Sequence, residues 1–228
     1  MTRVPKSLFS KRPRLVALVM TFLVTVFAAL AAGVGPLSAH PHVFVTAVSE
    51  LIYAPDGSLT GVRHAWTFDD MFSSYAIQGL ESKTKTYTRE ELAPLAQINV
   101  DSLKEYGFFT FAKADGHREH FQDPPVDYYL DYKNGMLTLH FTLMLKTPVK
   151  PRQLVLEIYD RSFFVEFQMA KEDPVKLRAA PEGCAMKLER PGGGAAATAR
   201  SFDEQTFIDG ENANFGARFA NRITVDCP

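Results

Sequence analysis

The residues best placed to do chemistry are His40-Pro41-His42, two imidazoles one proline apart. If the chain is cut before His40, a free α-amine joins them and the new chain end is rich in nitrogen donors. The square-planar amino-terminal chelate for copper or nickel needs deprotonated amides at the second and third positions. A proline in second position has no N–H to lose, so that mode is excluded. What remains is a chelate by the amine and ring of His40. His42 and one of Asp69 or Asp70 would complete a site for nickel, cobalt, zinc or copper. The competing reading makes the histidines a solvated strand start. In that reading Asp69 or Asp70 caps the helix that follows, where a carboxylate accepts orphan amide protons and suits the dipole.

The other histidines point less clearly to chemistry. His64 shares a strand face with Val62, Trp66 and Phe68. Six extended residues, about 20 Å of chain, keep it out of a first shell with Asp70, so it reads as a core or rim histidine with a hydrogen-bond partner. His140 points away from the Leu139 face and reads as ordinary. His117 and His120 flank a turn with Glu119 between them, either a weak surface metal patch or simply exposed polarity.

Export is what would uncover His40. Residues 1–39 have the three parts of a signal peptide: a basic stretch with Lys6, Lys11, Arg12 and Arg14, an apolar run from Leu15 to Ala32, and a break at Gly33, Gly35 and Pro36 before Leu37-Ser38-Ala39. The small Ala39 suits cleavage before His40. The apolar run reaches the lower limit of a membrane span, so an uncleaved anchor is the alternative. The whole chain carries 25 Lys+Arg and 26 Asp+Glu. The leader holds five bases and no acid, so the mature part has 20 bases against 26 acids, a net charge of −6. That argues against a nucleic-acid partner. The remaining length suits one domain with a real core. Cys184 and Cys227 are the only cysteines, and in an oxidising compartment an even pair reads most simply as one disulfide. The absence of CxxC speaks against a redox or zinc-ribbon role.

The elements that must position these residues are mainly strands. His42 to Tyr53 and Leu59 to Phe68 form a hairpin about Pro55-Asp56-Gly57-Ser58. A turn centred on Asp56-Gly57 sets Ser49 beside His64 and would bring His42 near Asp70 and Met71. From about 70 to 106 the period becomes helical: Phe72, Tyr75, Ala76 and Leu80, then a capping box at Thr88-Arg89-Glu90-Glu91 opening a helix through Leu92, Leu95, Ala96, Val100 and Leu103, with Pro94 strained inside it. Phe108 to Phe111 returns to strand, with a hairpin turn at Asp115-Gly116. Strands follow at Tyr128 to Tyr132, Leu137 to Leu145, Leu154 to Tyr159 and Phe163 to Gln168. Leu137, Leu139, Phe141, Leu143 and Leu145 form one buried face. A Gly/Ala linker covers about 191–199, Ser201 with Glu204 opens a short helix, and Ile223 to Cys227 closes as a strand. The fold class is α+β, mainly β: an antiparallel sandwich-like single domain over 40–228, with a helical insertion after the first hairpin. The aromatics, 18 Phe and 8 Tyr, read as sandwich core.

Catalysis finds no support: GxSxG, HExxH, a P-loop and catalytic Cys/His pairs are all absent from the sequence. Four separated motifs in one order carry a family resemblance. They are the leader followed by His40-Pro41-His42-Val43-Phe44-Val45, then Trp66 to Phe72, Tyr159 to Val165, and Phe219 to Ile223 ending at Cys227. The chain resembles the bacterial domain-of-unknown-function family 1007, also labelled an uncharacterised transport-system periplasmic component. The resemblance implies a periplasmic partner of an inner-membrane nickel/cobalt permease. In relatives the stretch before Thr88 looks like an EF-hand loop. Here Glu81, Lys83 and Lys85 replace its aspartates and the loop to Glu91 is one position short, so no calcium site is expected. Arg161-Ser162 also departs from the more usual Pro-Thr.

Two expectations follow. The first is a periplasmic accessory protein that binds a divalent metal through His40 and His42, with Asp69 or Asp70 contributing. Its affinity would fall below about pH 6, since amine and imidazole bind only when neutral. The second is a non-metal interaction module that docks on the permease. A solute-binding receptor is a weaker reading, because the chain is too short for two large α/β lobes.

Overall fold

The computed structural model describes residue 20 and residues 41–80, 86–191 and 215–228. The expected signal peptide, His40, the Glu81 to Lys85 stretch, the Gly/Ala linker and the Ser201–Glu204 helix start all lie outside the described residues, Pro191 excepted. The described residues from 41 onward form one compact unit. Among the described residues no helix is long and apolar enough to cross a membrane.

The first hairpin is β1, Val43–Tyr53, with β2, Leu59–Phe68. Their inward positions alternate along both strands, and the register sets Ser49 opposite His64 and Val45 opposite Phe68, as the turn predicts. Two helices follow: α1, Asp70–Ala76, and α2, Arg89–Leu103. The α2 capping box is formed in both directions, Thr88 Oγ1 accepting from the Glu91 amide and the Glu91 carboxylate accepting from the Thr88 amide. Leu92, Ala96 and Val100, spaced by four, are the buried stripe of α2. A 3₁₀ segment, Lys104–Phe109, ends in three left-handed residues, Gly107, Phe108 and Phe109. The next strand therefore begins at Thr110, two residues later than its aromatic composition predicts.

The remaining strands are β3 (Thr110–Ala114), β4 (His117–Glu119), β5 (Val126–Lys133), β6 (Met136–Val149), β7 (Gln153–Ile158), β8 (Val165–Met169), β9 (Val175–Arg178), β10 (Ala185–Glu189) and β11 (Asn221–Asp226). The hairpin turns Asp115-Gly116 and Asn134-Gly135 both have positive φ at their two central residues, the type I′ geometry that matches strand twist. One sheet runs β5-β6-β2-β1-β8, with β9 also on β1; the other runs β10-β11-β7-β3-β4. Their inner faces share one apolar core, to which Leu137, Leu139, Phe141, Leu143 and Leu145 each present a buried side chain. The fold is mainly β, with the expected helical insertion and a sandwich-like pair of sheets.

Three details differ from the sequence reading. β8 and β9 lie parallel to β1, where an all-antiparallel arrangement was expected. Strand β6 continues through Pro148 to Val149, because at that end it pairs only with Leu59 and Pro148 need not donate to a ladder. Strands β9 and β10 carry too little apolar alternation to stand out in the sequence.

Candidate functional site

His42 is exposed and its backbone is fixed: its amide donates to the Phe164 carbonyl at 2.9 Å. Its ring lies 4.8 Å from the Phe164 ring, centroid to centroid. Phe164 immediately precedes β8, so these contacts draw His42 to the edge of β1 opposite β2. The Asp69-Asp70 corner lies at the β2 end of the ladder. Asp69 has both carboxylate oxygens engaged there: Oδ1 caps α1 by accepting from the Phe72 amide and Oδ2 accepts from the Phe44 amide, both at 2.8 Å. Capping therefore explains Asp69, which also locks the start of β1 to the start of α1. Asp70 is exposed in the first turn of that helix, where its charge complements the dipole. Among the described residues no group of three or more His, Cys, Asp or Glu side chains is arranged to hold a metal. His40 lies outside them.

His64 is fully buried and is a structural bridge. Its Nδ1 is 2.9 Å from Ser49 Oγ on β1 and its Nε2 is 3.3 Å from Thr110 Oγ1 on β3, in the other sheet. The Thr110 hydroxyl already donates to the Phe108 carbonyl at 2.7 Å, so toward His64 it can only accept. That assigns the proton to Nε2 and leaves Nδ1 to accept from Ser49. Burial pushes the imidazole pKa down to about 3. His140, half-buried, stacks on Tyr129 at 4.5 Å with the Arg89 guanidinium 3.6 Å above the far ring. Burial lowers its pKa, partly opposed by Asp131. His117 and His120 are exposed beside the β3–β4 turn.

What the sequence reading missed is a cleft of about 930 Å³. Its floor is Val43 and Val45 of β1, Trp66 and Phe68 of β2, and Phe167 of β8; its walls come from α1, from α2 and from the loop after β7. The helical insertion leaves apolar side chains pointing outward along this opening. Tyr75 is 71% exposed, Ile98 62%, Tyr106 53% and Phe164 46%, so the three aromatics among them are surface and not the sandwich core expected of the Phe and Tyr residues. Phe164 lines the cleft and also carries His42, which sets that histidine beside it. One signal was available in the sequence: Ile98 lies off the Leu92-Ala96-Val100 stripe, so α2 carries more apolar surface than one buried face requires.

The wall formed by the loop after β7 is built by Asp160, a buried carboxylate. It accepts from the Ser162 amide and hydroxyl and from the Val165 amide, at 2.9 to 3.0 Å. Gly216 packs directly on this loop: its amide donates to the Arg161 carbonyl, and a Cβ there would fall 1.6 Å from the Asp160 carbonyl oxygen.

Cys184 and Cys227 form a disulfide, which is compatible with an oxidising, exported location. A two-sheet domain with a helical insertion, one disulfide and an open apolar cleft is thereby defined. The chain belongs to the protein family of unknown function DUF1007, whose pattern matches residues 25–227. It is also similar to a Haemophilus influenzae protein described as uncharacterised, 24% identical over 191 residues, covering 83% of this chain and 91% of the other.

Proposed function

We propose that the mature domain is a non-catalytic, periplasmic binding protein that serves an inner-membrane transport system, and that its ligand site is the cleft between the helical insertion and the first sheet. The observation that carries this reading is the size and chemistry of the opening. Ligand sites are typically concavities of about 300–1,000 Å³ with mostly apolar walls and a few polar groups. This one has a largely apolar lining and keeps Tyr75, Ile98 and Tyr106 more than half exposed. Exposed apolar side chains gathered along one opening, unlike ones scattered singly, mark a ligand or interaction site. The neutral dye N-phenyl-1-naphthylamine should fluoresce on binding residues 40–228. Ile98→Lys alters an already exposed position, so it should keep the fold and weaken the dye at least about tenfold. Equal dye binding by both proteins would refute the site.

A second reading keeps the transition-metal role, as an accessory to a nickel, cobalt or zinc permease. The fixed placement of His42 on Phe164 favours it, since a held imidazole loses less freedom on coordination than a frayed one. With both Asp69 oxygens accepting amides, His40 and His42 carry that site, and exposed Asp70 is the carboxylate left to join them. Zinc, nickel or cobalt titration of protein with a native N-terminus should show uptake that the double variant His40→Ala/His42→Ala loses. Unchanged uptake would remove the histidines from the site.

A further inference from the structure

Beside the cleft, and sharing Tyr106, Phe109 and Asp160 with it, lies a smaller recess of about 330 Å³ in which charged side chains stand among rings. Tyr106 and Phe109 stack at 5.3 Å and form the partition. Lys104, Arg118 and Arg161 bring three cations to the recess, and Glu105 and Asp160 bring two carboxylates. These charges are not equally available. Lys104 pairs with Asp123. The Asp160 carboxylate is turned inward and accepts hydrogen bonds from its own loop. Glu105 remains as an exposed acid at the rim. Arg161 is held with its guanidinium 4.9 Å over the Phe111 ring, and Arg118 reaches the same recess from β4. Neither arginine has a carboxylate partner among the described residues. Guanidinium groups stay charged at all accessible pH and match carboxylate and phosphate oxygens in pairs.

We infer that the ligand is a single anionic amphiphile, whose apolar chain lies in the cleft and whose carboxylate or phosphate head crosses the Tyr106–Phe109 partition to Arg118 and Arg161. The inference rests on the cleft being the ligand site and adds to it the charge of the ligand and the end at which that charge sits. The apolar walls supply affinity without preference for a head group. The arginines supply the selection, since a neutral or cationic head leaves them no better paired than water does.

The test is displacement of N-phenyl-1-naphthylamine from residues 40–228 by three probes with the same chain, used as monomers: decyl phosphate, decanol and decyltrimethylammonium. Decyl phosphate should displace the dye at roughly tenfold lower concentration than decanol, with the cation weakest. The double variant Arg118→Gln/Arg161→Gln should bring decyl phosphate to within about twofold of decanol and leave decanol itself unchanged, which shows that the cleft is intact. Equal displacement by all three probes, or a variant that keeps the preference, overturns the head-group assignment and leaves the cleft reading standing. Failure of the dye and every probe to bind overturns both. Binding to phosphatidylglycerol vesicles without displacement by monomeric decyl phosphate also overturns the proposal, because it replaces a single ligand with a membrane surface.

Discussion

At the scale of single residues, His64 shows how far tertiary setting changes what a side chain is for. The imidazole bridges the two sheets as a neutral ring with both nitrogens satisfied. Its proton affinity in the folded chain lies far below the ordinary value of 6.5, so the unfolded chain binds a proton that the folded one refuses. Stability from this group is fully present above about pH 6.5 and declines as pH falls from there toward about 3, by about 1.4 kcal/mol per unit. Urea denaturation of residues 40–228 at pH 7.5 and pH 5 should show a midpoint clearly lower at pH 5. In His64→Leu that particular pH dependence should vanish, while the protein loses about 2 kcal/mol at neutral pH because the buried Ser49 hydroxyl loses its acceptor and Thr110, still bonded to the Phe108 carbonyl, loses its contact across the sheets. A variant that kept the full acid sensitivity would place its origin elsewhere. The low proton affinity reflects burial, and the hydroxyl partners fit a structural bridge.

At the scale of elements, the loop after β7 connects the second sheet to the cleft and is held from both sides. Asp160 closes it from within, and Gly216 seats the 3₁₀ segment Phe215–Phe219 against it, where Phe219 stacks on Phe163 at 3.8 Å. Gly216→Ala forces a methyl carbon into the Asp160 carbonyl and should cost at least about 3 kcal/mol, at the severe end for one substitution. Because the displaced loop is a cleft wall, N-phenyl-1-naphthylamine affinity should fall together with the melting temperature. A variant as stable as the parent would show that this contact is not tight. The elements themselves were unequally legible. The capping box at Thr88, the turn at Asn134-Gly135 and the alternation from Leu137 to Leu145 are local patterns, and each forms as read. The left-handed run at Gly107 to Phe109 carries no such mark, because two phenylalanines with positive φ are strained and persist only where packing imposes them.

At the scale of the whole molecule, the disulfide secures an edge strand with a weak claim to the fold. Strand β10 sits at the edge of the second sheet with β11 as its only paired neighbour among the described residues, and four of its five side chains are exposed. Cys184 and Cys227 extend that ladder by one covalent step, joining residues 43 apart in sequence. Cys184→Ser/Cys227→Ser should lower stability by about 2–4 kcal/mol, and amides from Ala185 to Glu189 should lose exchange protection before the rest of the sheet. Uniform loss of protection would mean that the bridge acts on the whole domain and not on this edge.

The sequence by itself determined the mainly β class, the register of the first hairpin, the helical insertion and the pairing of the two cysteines. Each follows from short-range periodicity, turn chemistry or a count that allows one answer. Only the tertiary structure decided that β8 and β9 run parallel to β1, that Asp69 binds backbone at two helix and strand ends, and that His42 goes to Phe164. It alone assembled the cleft, whose floor and walls come from residues as far apart as Val43, Ile98 and Phe167. An opening between elements is a property of how packed surfaces fail to meet, and no stretch of chain encodes that alone.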